Sequence, residues 1–352
     1  MNPSYRILSD GDEEFLLNRI QVASSNKNEM VSSEWRKYLE VKSMQDISVE
    51  RLDNLANPIS GLTYGFYGRT TDDCLPLSYE LYQGESIYQK IIQIPEPDAG
   101  NPPKKFALGN QNVSGNFLRQ AYFALKLLAN MKKDPDVIVE IGGGYGLLSY
   151  IWKVLFPKSK VVIVDIPESI LLQYHFLKQA LPDIRIGHLL NDRDAESDLG
   201  KEVGIEDADI TLVECNAINC LDLKPNVVLA LASFQEMTVD VVDSYVQWVE
   251  KNIGDGGYFF VYSCHGLDPL GYQSPADVNL DDKWQVVSCE QSTLVANNYH
   301  HLQLIYQRTQ SANLLVQEKR RMILNDYYHS LTERDHSKMK EYQDLLLGKQ
   351  VK

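Results

Sequence analysis

Residues 137–146 read VIVEIGGGYG, and this stretch decides the fold. Its first five residues are apolar apart from Glu140, which is typical of a short strand that is covered on both faces of a parallel sheet. The glycines that follow allow a tight turn and let a ligand approach the backbone. A helical pattern then continues to Pro157, so the unpaired N–H groups at the helix start face the turn. The stretch predicts a strand–loop–helix unit able to hold a carboxylate or a phosphate.

Ahead of this stretch, apolar residues at three- and four-residue steps predict a helix over 115–131, with Ser114 as its cap. After it, the same alternation of strand and helix patterns continues along the chain. VVIVDI (161–166) is a second buried strand that ends on Asp165, and Pro167 suits the first turn of the next helix. Three further strands and a closing antiparallel pair are predicted: ITLVE (210–214), VVLALA (227–232), YFFVYS (258–263), WQVVSC (284–289) and HLQLIYQR (301–308). This order predicts an α/β fold with a mostly parallel sheet and helices on both faces.

Composition narrows the class of function. The chain has 352 residues and a net charge of −14, from 34 Lys and Arg against 48 Asp and Glu. This acidity argues against a nucleic-acid surface and favours a small-molecule partner. We expect no secretory leader, no membrane span and no metal site. The five cysteines are scattered without a CxxC pair, which is typical of a cytoplasmic protein with free thiols.

The spacing of the glycine loop favours one ligand over another. The dinucleotide pattern G-x-G-x-x-G would need a third glycine at position 147, which is leucine. The sequence E-x-G-x-G-x-G, followed by an acid at the end of the next strand, resembles motif I of the S-adenosylmethionine-dependent methyltransferases. The resemblance implies that Glu140, Gly142 and Gly144 form the loop on the methionine side of the cofactor. It implies that Asp165 binds the ribose. Adenine contacts would come from Ile166, Cys215 and Asn216.

Four segments narrow the resemblance: VIVEIGGGYGLLSY, FPKSKVVIVDIPESILLQ, SFQEM (233–237) and HLQLIYQR. Together they are similar to the small-molecule O-methyltransferases, and within these to a family of bacterial sugar O-methyltransferases. The resemblance implies a Rossmann-like methyltransferase fold with a seven-stranded sheet, and a sugar or glycosylated compound as methyl acceptor. We expect a methyltransferase domain over 114–310 and a helical tail over 311–352. A mostly helical region, 1–113, would cover the acceptor and could serve dimerisation.

Methylation of a sugar hydroxyl calls for a general base, since the hydroxyl is a poor nucleophile. The base should lie at the carboxyl ends of the fourth and fifth predicted strands. His265, just after YFFVYS, is the preferred candidate. The alternative is that His265 is a solvated loop histidine without a catalytic role. Glu236 is a second candidate. The alternative is that Glu236 caps the helix that starts near Thr238 or forms a surface ion pair. Gln235 stands where plant-type O-methyltransferases align a catalytic histidine, which puts a histidine mechanism at that position in doubt.

Three other functions stay open on the sequence alone. The protein could methylate a phenolic or polyketide natural product, since that reaction uses the same cofactor loop. It could be an NAD(P)-dependent sugar oxidoreductase, against which the missing third glycine counts. It could also be a scaffold that binds the cofactor without turnover.

Overall fold

The structure is a computed structural model that describes residues 4–25, 47–57, 62, 86–190, 207–265, 278–291, 300–310, 317–333 and 336–348. Among these residues, no helix is long and apolar enough to cross a membrane. The tyrosine-rich segment at 63–73 and most of the acidic stretch, 191–206, lie outside the described residues.

A nine-stranded sheet forms the centre of the molecule, in the order β1-β6-β7-β5-β4-β8-β9-β11-β10. Its strands are β1 (Ser4–Leu8), β4 (Val137–Ile141), β5 (Lys160–Asp165), β6 (Ile186–Leu190), β7 (Ile210–Glu214), β8 (Val227–Leu231), β9 (Tyr258–His265), β10 (Trp284–Gln291) and β11 (His300–Arg308). A separate hairpin pairs β2 (Phe106–Leu108) with β3 (Gln111–Val113). The α/β class is confirmed, but the expectation of seven strands is wrong because β1 and β6 extend the sheet beyond β7.

The helices flank this sheet. They are α1 (Glu13–Ser25), α2 (Val49–Asp53), α3 (Ser86–Ile91), α4 (Gly115–Leu128), α5 (Leu147–Leu155), α6 (Pro167–Ala180), α7 (Val239–Asn252), α8 (Gln317–Glu333) and α9 (His336–Leu346). The predicted starts of two helices are confirmed. The Ser114 hydroxyl caps α4 by accepting from the Phe117 amide at 3.1 Å, and Pro167 opens α6.

Two apolar cores cover the two faces of the sheet because side chains alternate along each strand. On β4, Ile138 belongs to the core beneath α4, α5 and α6, whereas its neighbour Val139 belongs to the core beneath α7 and α8. On β9 the same alternation separates Phe260 from Phe259. The strands are therefore buried on both sides, as the unbroken apolar runs predict.

Strand direction places the carboxyl ends of the central strands along one edge. The strands β6, β7, β5, β4, β8 and β9 are mutually parallel, whereas β11 runs antiparallel to both β9 and β10. The chain goes from β4 to β5 on one side, and β8 lies on the other side of β4. The order therefore reverses between β4 and β8, where open α/β sheets bind their ligands.

The N-terminal region takes part in this sheet. β1 pairs antiparallel with β6, from Ser4 opposite Leu190 to Leu8 opposite Ile186, and α1 packs against α6. Strand β1 was not expected from the sequence, because SYRIL has no flanking strand signal that distinguishes it from a loop.

Candidate functional site

The glycine loop lies at the reversal point of the sheet and touches the loop that follows β8. Gly142 has φ 79°, a conformation that side chains disfavour. A Cβ atom on Gly142 would lie 2.4 Å from the Cβ of Ser233, so the two loops approach too closely for any other residue. Gly146, with φ 94°, then begins α5.

Glu140 lies directly under the loop and is almost fully buried. Its Oε2 accepts a hydrogen bond from the Ser149 hydroxyl of α5 at 2.7 Å. Burial raises the pKa of Glu140 to about 7, the Ser149 hydrogen bond opposes that rise, and the neighbouring Asp165 adds to it. Glu140 therefore ties the strand before the loop to the helix after it.

Asp165 ends β5, next to the glycine loop, and keeps part of its surface exposed. Its Oδ1 accepts from the Ile166 amide at 2.8 Å. Burial raises its pKa to about 7, against hydrogen bonds from the Ile166 amide, Ser169, Gln173 and the Gly143 amide, which lower it. Ile166, which follows, is also partly exposed. Both predicted cofactor residues thus stand at the carboxyl edge of the sheet.

Gln173 joins these two elements and was missed in the sequence. It lies in α6 with a fully buried side chain. Its Nε2 donates to the Gly144 carbonyl at 3.0 Å and to Asp165 Oδ2 at 2.8 Å. The available signal was weak: a single glutamine between Leu172 and Tyr174 on a helix that is otherwise apolar there.

Cys215 and Asn216 follow β7, one strand beyond Asp165. They begin a 3-10 turn, Cys215–Cys220, in which Cys215 is buried and Asn216 is exposed. The preceding residue, Glu214, is in register with Asp165. Its carboxylate accepts from Arg19 Nε at 3.1 Å and from Arg19 NH2 at 3.0 Å. Helix α1 is therefore fastened to the strand end beside the predicted adenine contacts.

His188 lies against this ion pair and is fully buried. Its Nε2 is 3.7 Å from Glu214 Oε1. Burial lowers the pKa of His188 to about 3, and the guanidinium groups of Arg19 and Arg6 lower it further. His188 is therefore neutral at physiological pH, and Arg19 supplies the positive charge that pairs with Glu214.

The predicted catalytic residues stand at the same edge of the sheet. Gln235 and Glu236 form a short 3-10 turn, Phe234–Glu236, after β8, and both are partly exposed. Ala232, which precedes them, has φ 62°, a strained conformation for alanine that is common at functional sites. His265 is the last residue of β9, and its side chain lies outside the described part of the structure.

The start of α4 reaches the glycine loop from the other side. Asn116, which is buried, donates through Nδ2 to the Tyr145 hydroxyl at 3.0 Å. Arg119 NH2 donates to Asn116 Oδ1 at 2.9 Å. This contact places a guanidinium group near the loop. The spacing of α4 had identified its buried face but not this polar connection.

Over the residues that the structure describes, no group of three or more His, Cys, Asp or Glu side chains is placed to hold a metal ion. Asp281, a conspicuous acid beside Asp282, accepts from the Lys283 amide at 2.8 Å and pairs with Arg308 at 3.6 Å. These contacts give Asp281 a structural role at the start of β10.

Comparisons with known proteins find similarity in structure but none in sequence. No protein-family model matches the sequence, and no curated protein is similar to it. Among solved structures, a methyltransferase from Pyrococcus furiosus has 12% identity and a TM-score of 0.35, covering 53% of this chain and 82% of that chain. TehB from Haemophilus influenzae has 12% identity and a TM-score of 0.39, with 58% and 72% covered. StiE O-MT residues 961–1257 have 8% identity and a TM-score of 0.41, with 61% and 83% covered.

Proposed function

We propose that the protein transfers a methyl group from S-adenosylmethionine to a hydroxyl oxygen of a sugar or sugar-containing compound. The observation that carries the proposal is the joint placement of Glu140, the glycine loop and Asp165 at the reversal point of the sheet. A cofactor lying across this point would meet the loop with its methionine part and the Asp165 carboxylate with its ribose.

The residues around the loop fit that cofactor. Gly142 lets the glycine loop lie directly against Ser233, because a Cβ atom there would be 2.4 Å from the Ser233 Cβ. In the described part of the chain, the buried Ser233 hydroxyl has no hydrogen-bond partner, so it can accept from an ammonium group at the loop. Asp165 is partly exposed and offers acceptor oxygens at the next strand end. Ile166, Cys215 and Asn216 follow on the adenine side.

The order of the strands supports this cofactor over a dinucleotide. If β4, β5, β7, β8, β9, β10 and β11 are numbered one to seven, their order across the sheet is 3-2-1-4-5-7-6. The dinucleotide-binding fold has the order 3-2-1-4-5-6, without an antiparallel strand inserted between the last two. The leucine at position 147 points the same way.

The chemistry needs alignment and a proton acceptor. When bound, the cofactor supplies an electrophilic methyl carbon: the acceptor O–C bond forms as the S–C bond breaks, the hydroxyl proton passes to a base, and S-adenosylhomocysteine leaves. His265 and Glu236 end neighbouring elements at this edge, and either can take that proton. Gln235 can orient the acceptor hydroxyl by hydrogen bonding. The sugar as acceptor rests on the resemblance of the DIPE and SFQEM segments.

The first experiment measures which cofactor binds. Isothermal titration with S-adenosylhomocysteine, S-adenosylmethionine and NADPH should give binding of the first two and none of NADPH. Binding of NADPH alone would overturn the proposal in favour of an oxidoreductase.

The second experiment measures the acceptor and the base. Incubation with isotopically labelled S-adenosylmethionine and a panel of sugars, glycosides and phenols, read by mass spectrometry, should give methylated sugars. Glu236→Gln and His265→Ala are then compared on the best acceptor, with Asp255→Asn as the surface control, because Asp255 is exposed in the turn before β9, at the opposite edge of the sheet. Cofactor binding without any methylated product would indicate a scaffold, and methylated phenols alone would indicate a phenolic acceptor.

A further inference from the structure

The two amide hydrogens of Gln173 connect the glycine loop with the predicted ribose acid. Its Nε2 lies 3.0 Å from the Gly144 carbonyl and 2.8 Å from Asp165 Oδ2. The side chain is fully buried, so no water competes for these hydrogen bonds. The two acceptors belong to loops that follow different strands, β4 and β5.

Helix α6 holds Gln173 rigidly in this place. A Cβ atom on Gly146 would lie 3.3 Å from the Leu177 side chain and 3.7 Å from the Gln173 Cα, so the helix packs directly on the loop. Tyr174 and Leu177 anchor the helix in the core on the same face of the sheet. A movement of the loop relative to Asp165 would therefore break at least one hydrogen bond of Gln173.

We propose that Gln173 is a positioning residue that locks the glycine loop to Asp165, so that the methionine and ribose ends of S-adenosylmethionine meet a site already formed. The inference rests on the proposed function. An amide suits this place because it donates two hydrogen bonds and carries no charge. A glutamate would be an acceptor facing two acceptors, and an apolar residue would leave the Gly144 carbonyl and Asp165 Oδ2 without a donor.

The lock also affects the charge of Asp165. Hydrogen bonding to a carboxylate favours its ionised form, and an ionised carboxylate is the better acceptor for ribose hydroxyls. Among the described residues, the titratable groups beside Asp165 include Glu140 from β4 and Tyr245 from α7, which interact with it electrostatically, and Glu214, its register neighbour on β7. Burial raises the pKa of Tyr245 well above its ordinary value, so this phenol stays neutral. Glu140 titrates near Asp165, so its contribution must be separated by experiment.

The test uses the full chain and S-adenosylhomocysteine as probe. Affinity is measured by isothermal titration from about pH 6 to about pH 8.5, the range around the pKa of Asp165, in the unsubstituted protein and in Gln173→Met. We expect the affinity of Gln173→Met to fall ~10-fold near neutral pH, the loss typical of one hydrogen bond to a charged group. We also expect the midpoint of its pH dependence to move upward, since the removed hydrogen bond lowers the pKa of Asp165.

A double-variant cycle isolates Asp165 from Glu140. In the Asp165→Asn background, Gln173→Met should still weaken binding through the loop but should no longer move the pH midpoint. Gln179→Leu, on the same helix, is the matched control because its amide contacts Asp53 and His175, away from the loop. It should leave both affinity and midpoint unchanged.

The outcomes separate this inference from the proposed function. If the unsubstituted protein does not bind the probe at any pH, the proposed function itself is wrong. If it binds, and folded Gln173→Met keeps both the affinity and the pH midpoint, the positioning role is refuted. Gln173→Asn is the second variant should Gln173→Met fail to fold, since its shorter amide reaches only one of the two acceptors, and it should show the same weakening.

Discussion

The contact between Gly142 and Ser233 gives the sharpest prediction about the glycine loop. In Gly142→Ala, the new methyl carbon would lie 2.4 Å from the Ser233 Cβ, whereas ordinary contacts begin at 3.4 Å. The loop after β4 and the loop after β8 must therefore separate by ~1 Å, a displacement that can cost ~100-fold in a well-aligned reaction. The φ of 79° adds about 1 kcal/mol for a residue with a side chain.

Two further variants divide this cost into its parts. Gly256→Ala has nearly the same backbone angle, φ 80°, but its Cβ would meet nothing within 4 Å. It should lose about 1 kcal/mol of unfolding free energy and none of its affinity for S-adenosylhomocysteine. Ser233→Gly alone loses the hydroxyl proposed to meet the cofactor, so it serves as the reference for the double variant. Gly142→Ala combined with Ser233→Gly removes the collision and keeps the backbone cost, so it should bind about as tightly as Ser233→Gly alone.

The assays are methyl-transfer turnover and isothermal titration with S-adenosylhomocysteine, together with urea unfolding of each variant. The reasoning is refuted if Gly142→Ala binds as tightly as the unsubstituted protein. It is also refuted if Gly142→Ala weakens binding in the Ser233→Gly background as much as it does in the unsubstituted protein, because the collision would then not be the cause.

Three other perturbations test the packing around the site. Arg19→Met should lower the free energy of unfolding in urea by ~3–5 kcal/mol, because the Glu214 carboxylate stays buried after its charge partner Arg19 is removed. The double variant Arg19→Met with Glu214→Met should lose less stability. Equal losses in the two proteins would contradict this prediction. Burial raises the pKa of Glu140 to about 7 from 4.5, so its contribution to stability is complete below about pH 4.5 and is lost as the pH rises through about 7. Glu140→Gln should remove ~3 kcal/mol of that decline, seen as flatter unfolding midpoints between these pH values, and an unchanged slope would contradict the buried carboxyl. Arg320→Met should lower stability by ~2–3 kcal/mol at any pH, since the Arg320 guanidinium donates to the buried carbonyls of Leu280 and Trp284; a loss below ~0.5 kcal/mol in urea unfolding would show that water replaces it.

Much of the fold followed from local pattern. VIVEI and VVIVDI identified strands β4 and β5 because a strand buried on both faces needs an unbroken apolar run. Ser114 and Pro167 marked the starts of α4 and α6 because each meets the backbone requirements of a helix start. β1 and β6 were missed, because SYRIL and IGHLL are short and the residues that flank them give no clear strand signal. Their pairing joins segments about 180 residues apart, which no local pattern encodes.

The candidate site divides along the same line. The sequence by itself determined that Glu140, Gly142, Gly144 and Asp165 end adjoining strands at one edge, because parallel strands place their carboxyl ends together. Only the tertiary structure decided what holds these residues. Gln173 reaches both loops because α6 packs back across them, and Ser233 meets Gly142 because the chain order reverses between β4 and β8. Such contacts depend on distances between elements that are remote in sequence, and the spacing of residues along the chain does not predict those distances.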